Sequence, residues 1–196
     1  PGTLSGGVAP HQAPTPWGAL LRSKAIWAII LNNFAFHFVV YAIMNWMPTY
    51  FESGLKVSLV HMGQVKIVPY LTLFAVTNLS GMLADHLIAK RRYDVAHARK
   101  LVNTAGFVGV VVTLLTMPAV VHGELSGVAA LSCVLGFCAL SRGGFATNHM
   151  DVAPRHAGLV MGIANTAGTV AGIIAVQVTG VILDSTGGQG WGSVFA

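Results

Sequence analysis

The sequence predicts an all-α integral membrane protein with five spanning helices. Of its 196 residues, 54% are hydrophobic and only 9% are charged, whereas a soluble domain carries about 25% charged residues. So few charges cannot cover a water-facing surface, which excludes an ordinary soluble fold. Uncharged runs recur at the length of about 20 residues that a helix needs to cross a bilayer. The spans are predicted near residues 26–50, 62–84, 101–121, 126–149 and 157–183.

The two ends of the chain differ from its middle. Residues 1–19 are rich in Pro, Gly, Ala and Thr, which predicts a flexible linker over residues 1–24. Residues 25–184 hold the five predicted helices. The tail GGQGWGSVFA has the composition of a turn followed by a helix start, so residues 185–196 are predicted to be a turn and the beginning of a truncated sixth helix. We therefore expect a fragment of a longer protein.

The net charge of +5 is distributed unevenly along the chain. When alternate loops are placed on one side of a membrane, that side holds eight basic residues and the opposite side holds Lys56 alone. Because cytoplasmic loops carry an excess of Lys and Arg, loops 85–100 and 150–156 are predicted to lie in the cytoplasm. The membrane thus accounts for the basic balance, and no nucleic-acid partner is expected. The eight residues are Arg22, Lys24, Lys90, Arg91, Arg92, Arg99, Lys100 and Arg155.

A polar stripe runs along the first span. Asn33, His37, Tyr41 and Asn45 are spaced by four, which places them on one helix face. An unpaired polar group in hydrocarbon costs several kcal/mol, so the stripe should face either neighbouring helices or a wet cavity. His37 fits either a satisfied interior histidine or a proton relay.

Packing features mark the other spans. Lys66, near the outer end of the second span, either snorkels to the interface or contacts a solute. The third span is nearly featureless and should face lipid. In the fifth span, Gly158 with Gly162 and Gly168 with Gly172 form small-xxx-small pairs, which let helices approach closely.

Arg142, in the fourth span, is the sharpest candidate for binding. A buried Arg is expensive and usually faces a cavity or a partner, and its planar guanidinium binds phosphate or carboxylate with two hydrogen bonds. The alternative is an Arg close enough to the cytoplasmic end to snorkel. His149 lies seven residues on, on the same helical face.

The stretch NHMDVAPRHAG follows the fourth span and contains His149, Asp151 and Arg155. A metal site needs three or four converging ligands, and no such cluster is evident, so neither a metal nor a cofactor is expected. We predict instead that His149 and Asp151 anchor a turn. Arg155 would then pair with the membrane surface or with an acid, for which Asp85 is a candidate.

The segment GMLADHLIAKRR, with Gly81, Asp85 and Arg91, resembles the signature loop of the major facilitator superfamily, which acts there as a cytoplasmic gate latch. Four further stretches are similar to the anion/phosphate symporter family, and above all to its plant and algal branch. The resemblance covers roughly residues 22–196. These stretches are NNFAFHFVVYAIMNWMPTYFESGL, KIVPYLTLFAVTNLSGMLADHLI, RKLVNTAGF and GFATNHMDVAPRHAGLVMGIANTAGTVAGI.

The resemblance implies the C-terminal half of a major-facilitator twelve-helix bundle, comprising helices 7–11 and the start of helix 12. Two six-helix halves would rock around a midplane site. In this superfamily helices 7 and 10 line the cavity, which implies substrate binding by Arg142, His37, Asn33, Tyr41 and Asn45. The cytoplasmic gate would comprise Gly81, Asp85, Arg91, Asp151 and Arg155.

The implied activity is secondary active symport of inorganic phosphate or a small organic anion, with H⁺ or Na⁺ as the coupling ion. Membrane lipid and the missing N-terminal six-helix half would be the other partners. The protein would lie in an internal membrane, either the Golgi or the plastid envelope. The glutamate branch carries an Arg at or next to Phe36 or His37, and its absence here disfavours glutamate. The alternative is a truncated, non-transporting membrane module that packs with partner proteins. No enzyme is expected, since no nucleophile and base pair up.

Overall fold

The described part of the molecule consists of helices joined by short turns. The computed structural model describes residues 15–57, 67–90 and 94–195. Its helices are α1 (Trp17–Arg22), α2 (Lys24–Thr49), α3 (Ile67–Ala89), α4 (Val95–Val120), α5 (Glu124–Phe145), α6 (Asn148–Val152), α7 (Ala157–Ser185) and α8 (Trp191–Phe195). One π-helical turn, Tyr50–Gly54, extends α2, and a 3₁₀ turn, Pro154–His156, precedes α7. Lys66 and Arg91 lie outside the described residues.

Five of these helices are long and apolar enough to cross a membrane, which confirms the predicted number of spans. They are α2, α3, α4, α5 and α7, some with their flanking turns. Exposed apolar side chains, among them Phe74, Val108, Val111 and Leu115, cover their outer faces. Such extensive apolar exposure suits contact with lipid.

The third span begins earlier than an uncharged run suggests. The observed helix α4 starts at Val95 rather than near residue 101, because Asp94 caps it: the backbone N–H of His97 donates to Asp94 Oδ1 at 2.8 Å. That hydrogen bond, assisted by one from the His97 ring, holds the pKa of Asp94 below its ordinary value. The first turns of α4 thus contain polar residues and extend into the aqueous side. A prediction based on the length of uncharged runs does not apply there.

The spanning helices form two groups. Helix α2 packs along α7, whereas α5 lies between α3 and α4 and touches α2 less extensively. The main core joins the groups through side chains such as Phe36, Met117, Leu131 and Leu135. At the end opposite the predicted cytoplasmic loops, α8 packs against α4 and α7. The ring of Trp191 on α8 also meets that of Tyr50, in the π-helical turn after α2, with centroids 5.0 Å apart.

Glycines set the closest helix contacts. A Cβ on Gly168 would lie 2.6 Å from His37 Nδ1, and one on Gly172 would lie 2.5 Å from the Tyr41 ring, so both glycines are required where α7 meets α2. This confirms a packing role for the second small-xxx-small pair. Gly158 and Gly162 have nothing within 4 Å in the described chain, so the first pair packs no helix there.

Candidate anion site

Two adjacent glycines on α5 determine where Arg142 points. A Cβ on Gly143 would lie 2.5 Å from the Ser80 carbonyl oxygen of α3, and one on Gly144 would overlap the Arg99 carbonyl of α4. Helix α5 therefore packs against two backbones at this level. The side chain of Arg142 is directed to a third side, towards α2, where its Cζ lies 5.3 Å from the centre of the Phe36 ring. A guanidinium over a ring face gains a cation–π attraction.

A cavity of about 160 Å³ lies where α2, α5, α6 and α7 meet. It contains Arg142 together with two amides and two imidazoles. In the described chain no Asp or Glu lines it, and no group of three His, Cys, Asp or Glu residues could hold a metal. A site with one fixed cation, several polar side chains and no carboxylate suits an anion. Its lining comprises Ile29, Asn33, Phe36, His37, Arg142, Phe145, Ala146, His149, Met161, Ala164 and Asn165.

Asn33 and His37 supply the α2 side of this cavity. Asn33 is buried, and its Nδ2 donates to Asn165 Oδ1 at 3.4 Å. His37 Nδ1 lies 2.9 Å from the backbone oxygen of Asn33. Since a carbonyl oxygen only accepts, Nδ1 carries the hydrogen and Nε2 keeps its lone pair.

The other half of the polar stripe lies outside the cavity lining. The Tyr41 ring stacks on the His37 ring, with centroids 5.5 Å apart, and rests against Gly172. Asn45 is exposed, and its Nδ2 donates to the Tyr41 backbone oxygen at 2.8 Å. Both residues share the face of Asn33 and His37 but lie beyond the end of the cavity.

His149 lines the cavity although the sequence assigned it a structural role, and Asn165 lines it as well. His149 was assigned to a turn, and it does sit on the short helix α6, but its position also borders the cavity. The seven-residue spacing from Arg142, two helical turns, was the available signal. The sequence of α7 favours a polar packing contact for Asn165, and its position beside Asn33 depends on how α7 packs against α2.

A second cavity, of about 210 Å³, opens at the predicted cytoplasmic end. It brings the gate candidates Gly81 and Asp85 to the same space as Arg142, which therefore borders both cavities. The remaining lining is Thr77, Arg99, Gly143, Ala146 and Thr147.

The ion pairing at this end differs from the expectation. Asp151 pairs with Arg99, whose Nε lies 2.6 Å from Asp151 Oδ2, and this arginine was not singled out in the sequence. The suggested pair between Arg155 and Asp85 is wrong for the described structure, where both side chains are exposed and form no ion pair with each other. Arg99 is close enough to pair with Asp151 because Gly144 lets α4 pack tightly against α5, beside the short helix α6.

Removing either partner of the Arg99–Asp151 pair should destabilise the cytoplasmic end. Asp151 is partly exposed, so we expect Arg99→Ala and Asp151→Asn each to cost about 1 kcal/mol, and the double variant to cost no more than one of them. Thermal unfolding of the complete detergent-solubilised protein measures this. Asp184→Asn is the control, since Asp184 is exposed and forms no ion pair within residues 15–57, 67–90 and 94–195. Additive losses would show that the two side chains do not interact.

The model of the Major Facilitator Superfamily matches residues 1–176 of this chain. The chain belongs to that superfamily. This major-facilitator chain is also similar to individual plant proteins. It is 49% identical to probable anion transporter 6 of Oryza sativa subsp. japonica, over 97% of the chain and 46% of the relative. It is 48% identical to probable anion transporter 5 of Arabidopsis thaliana, over 87% of the chain and 39% of the relative.

A more distant relative carries a substrate in its name. The sodium-dependent phosphate transport protein 1, chloroplastic, of Arabidopsis thaliana is 33% identical over 92% of this chain and 34% of its own length. The chain thus spans less than half the length of these curated relatives. Its helices correspond to half of a major-facilitator bundle, as the sequence predicted.

Proposed function

We propose that this chain is the C-terminal half of a secondary active transporter that moves inorganic phosphate or a small organic anion by alternating access. The observation that carries the proposal is the cavity in which Arg142 is the only fixed charge among the described lining residues. An anion there would gain charge-assisted hydrogen bonds without competition from a neighbouring carboxylate. Family membership and the names of the relatives support the same conclusion.

The residues of the cavity would have distinct roles. Arg142 attracts the anion, and the Asn33 amide has a second N–H besides the one bonded to Asn165 that can donate to it. His37 borders the same space, but its Nδ1–H is bonded to the Asn33 carbonyl, so it could donate to an anion only from a protonated Nε2. Tyr41 and Asn45 would act indirectly. Tyr41 stacks on His37, and Asn45 donates a hydrogen bond to the Tyr41 backbone. The missing N-terminal half would close the cavity from the other side, as rocking of two halves around a central site requires.

The gate is proposed at the cytoplasmic end. Gly81 and Asp85 border the second cavity, and Asp151 is held by its pair with Arg99. Arg155 is exposed on the turn before α7, where it is free to approach the other half or the lipid surface. Arg91, outside the described residues, stays a sequence-based member of this gate.

The driving ion and the membrane belong to the same proposal. We assign symport with H⁺ or Na⁺, in an internal membrane such as the plastid envelope or the Golgi. The Arabidopsis thaliana relative is named as chloroplastic and sodium-dependent. That name supports the plastid envelope and Na⁺ among these choices. No enzymatic reaction is assigned.

Uptake by the complete transporter in proteoliposomes tests the function. We expect labelled phosphate, or one of sialate, ascorbate and glutamate, to accumulate only under an imposed H⁺ or Na⁺ gradient, with phosphate favoured over glutamate. Protein-free liposomes and collapsed gradients are the controls. A complete, folded protein that accumulates none of the four anions under either gradient would favour a non-transporting membrane module instead.

A further inference from the structure

The side chain of Arg142 has two spaces into which it can point. It borders the cavity of about 160 Å³, termed the central cavity here, and also the cavity at the cytoplasmic end. An arginine side chain has many rotamers and loses that freedom only when a contact orders it. Among the described residues, Arg142 forms neither an ion pair nor a side-chain hydrogen bond. Within this part of the chain, a contact of another kind must determine where its charge lies.

That contact is made by the ring of Phe36 on α2. The Cζ atom of Arg142 lies 5.3 Å from the ring centre. This is inside the distance of about 6 Å at which the negative face of an aromatic ring attracts a cation. Phe36 lines the central cavity and does not line the cytoplasmic one. The attraction therefore favours the rotamers that keep the guanidinium in the central cavity.

Phe36 is itself held in place by its neighbours. Its side chain is only 3% exposed. The Phe145 ring packs against it with centroids 5.6 Å apart, and the His37 ring meets it edge to face with centroids 5.2 Å apart. Phe145 follows Arg142 by about one turn of α5, so the same helix supplies the cation and part of the support for the ring. A ring packed in this way cannot follow the guanidinium and acts as a fixed anchor.

An aromatic ring suits an anion site better as an anchor than a carboxylate would. A carboxylate accepts hydrogen bonds from a guanidinium and would occupy N–H groups that a bound anion needs. The ring of Phe36 has no oxygen or nitrogen that could accept them, so the N–H donors of Arg142 stay available. The negative charge on a ring face is also only partial, so it does not cancel the charge that attracts the anion.

We propose that Phe36 is a positioning residue of the anion site, whose ring face holds the Arg142 guanidinium in the central cavity and so raises anion affinity without binding the anion itself. The inference rests on the proposed function and deepens it, because it names the group that orients the charged side chain. A pre-ordered arginine loses less freedom when the anion binds, which is why holding it raises affinity. The strength of this hold depends on the electron density of the ring face.

Replacement of Phe36 by mono-, di- and trifluorophenylalanine in the complete transporter tests this. Each ring fluorine withdraws electron density from the ring face, while the ring keeps nearly the same size. Equilibrium binding is measured with the four labelled anions of the uptake assay, namely phosphate, ascorbate, sialate and glutamate, and thermal unfolding is recorded in parallel. The matched control is the same series at Phe51, which is 2% exposed and lies outside the linings of both cavities.

We expect anion affinity to fall with each fluorine added at Phe36, by up to about fivefold for the trifluoro variant, at an unchanged unfolding temperature. The series at Phe51 should keep the wild-type affinity. Because fluorine makes the ring face less negative, a rise in affinity would mean that the anion itself lies over the ring, and a constant affinity would mean that the ring only fills space. Either result, or an equal loss in both series, overturns the inference and leaves the proposed function intact. If the folded wild type binds none of the four anions and accumulates none of them, both fail.

Discussion

Arg142→Ala is expected to abolish anion uptake by the complete transporter while the protein still folds and reaches the membrane. Truncating one partner of a desolvated charge pair costs about 2–5 kcal/mol, so we expect anion affinity to fall by about 100-fold or more. The side chain is exposed towards the cavities and forms no ion pair with a described acidic residue, so its loss should cost little stability. Labelled-anion binding and uptake in proteoliposomes, with expression measured in parallel, test this.

Two variants separate charge from geometry in this experiment. Arg142→Lys keeps the positive charge but loses the two-pronged hydrogen bonding, so an intermediate affinity is expected. Arg22→Ala removes an exposed Arg at the end of α1, outside both cavities, and should leave affinity unchanged. Uptake retained by Arg142→Ala with wild-type affinity would remove Arg142 from the site.

Gly144→Ala is expected to produce the largest loss of stability among single-methyl changes on α5. The added Cβ would overlap the Arg99 carbonyl and lie 2.7 Å from the Asn103 backbone nitrogen. Backbone atoms of a packed helix cannot turn aside as a flexible side chain can, so the cost should reach the upper end of the overpacking range, about 3 kcal/mol. Thermal unfolding of the complete protein, monitored by size-exclusion chromatography, measures the loss.

Gly136→Ala is the control on the same helix. Its Cβ would meet Thr72 Cγ2 at 3.2 Å, a side-chain methyl that needs to move by only a few tenths of an ångström. We expect a loss below about 1 kcal/mol there. Equal unfolding temperatures for the two variants would show that α4 and α5 do not approach as closely as the structure has them.

The sequence predicted the spans well because lipid imposes a simple rule on charge and length. The rule fails where a helix leaves the lipid, as α4 does beyond Val95, since Asp94 caps it in water. The polar stripe correctly indicated one face of α2. Periodicity shows which face of a helix a residue is on, but not how far along the helix a cavity extends. It therefore could not separate Asn33 and His37, which border the cavity, from Tyr41 and Asn45, which lie beyond it.

Long-range pairing was outside the reach of sequence reasoning. Arg99 and Asp151 are 52 residues apart, and their contact depends on the close approach of α4 to α5 at Gly144. Nothing local to either residue encodes that approach. The adjacent glycines 143 and 144 beside Arg142 were the one visible sign that this part of α5 is packed on two sides.

The guanidinium of Arg142 stands in the wall that the two cavities share. One guanidinium cannot bind two anions tightly at once, so under the proposed function only one of the two cavities could hold a bound anion at a time. An anion that moved between the cavities would stay in contact with the same side chain. Very tight binding by Arg142 would slow its release, and with it the proposed transport.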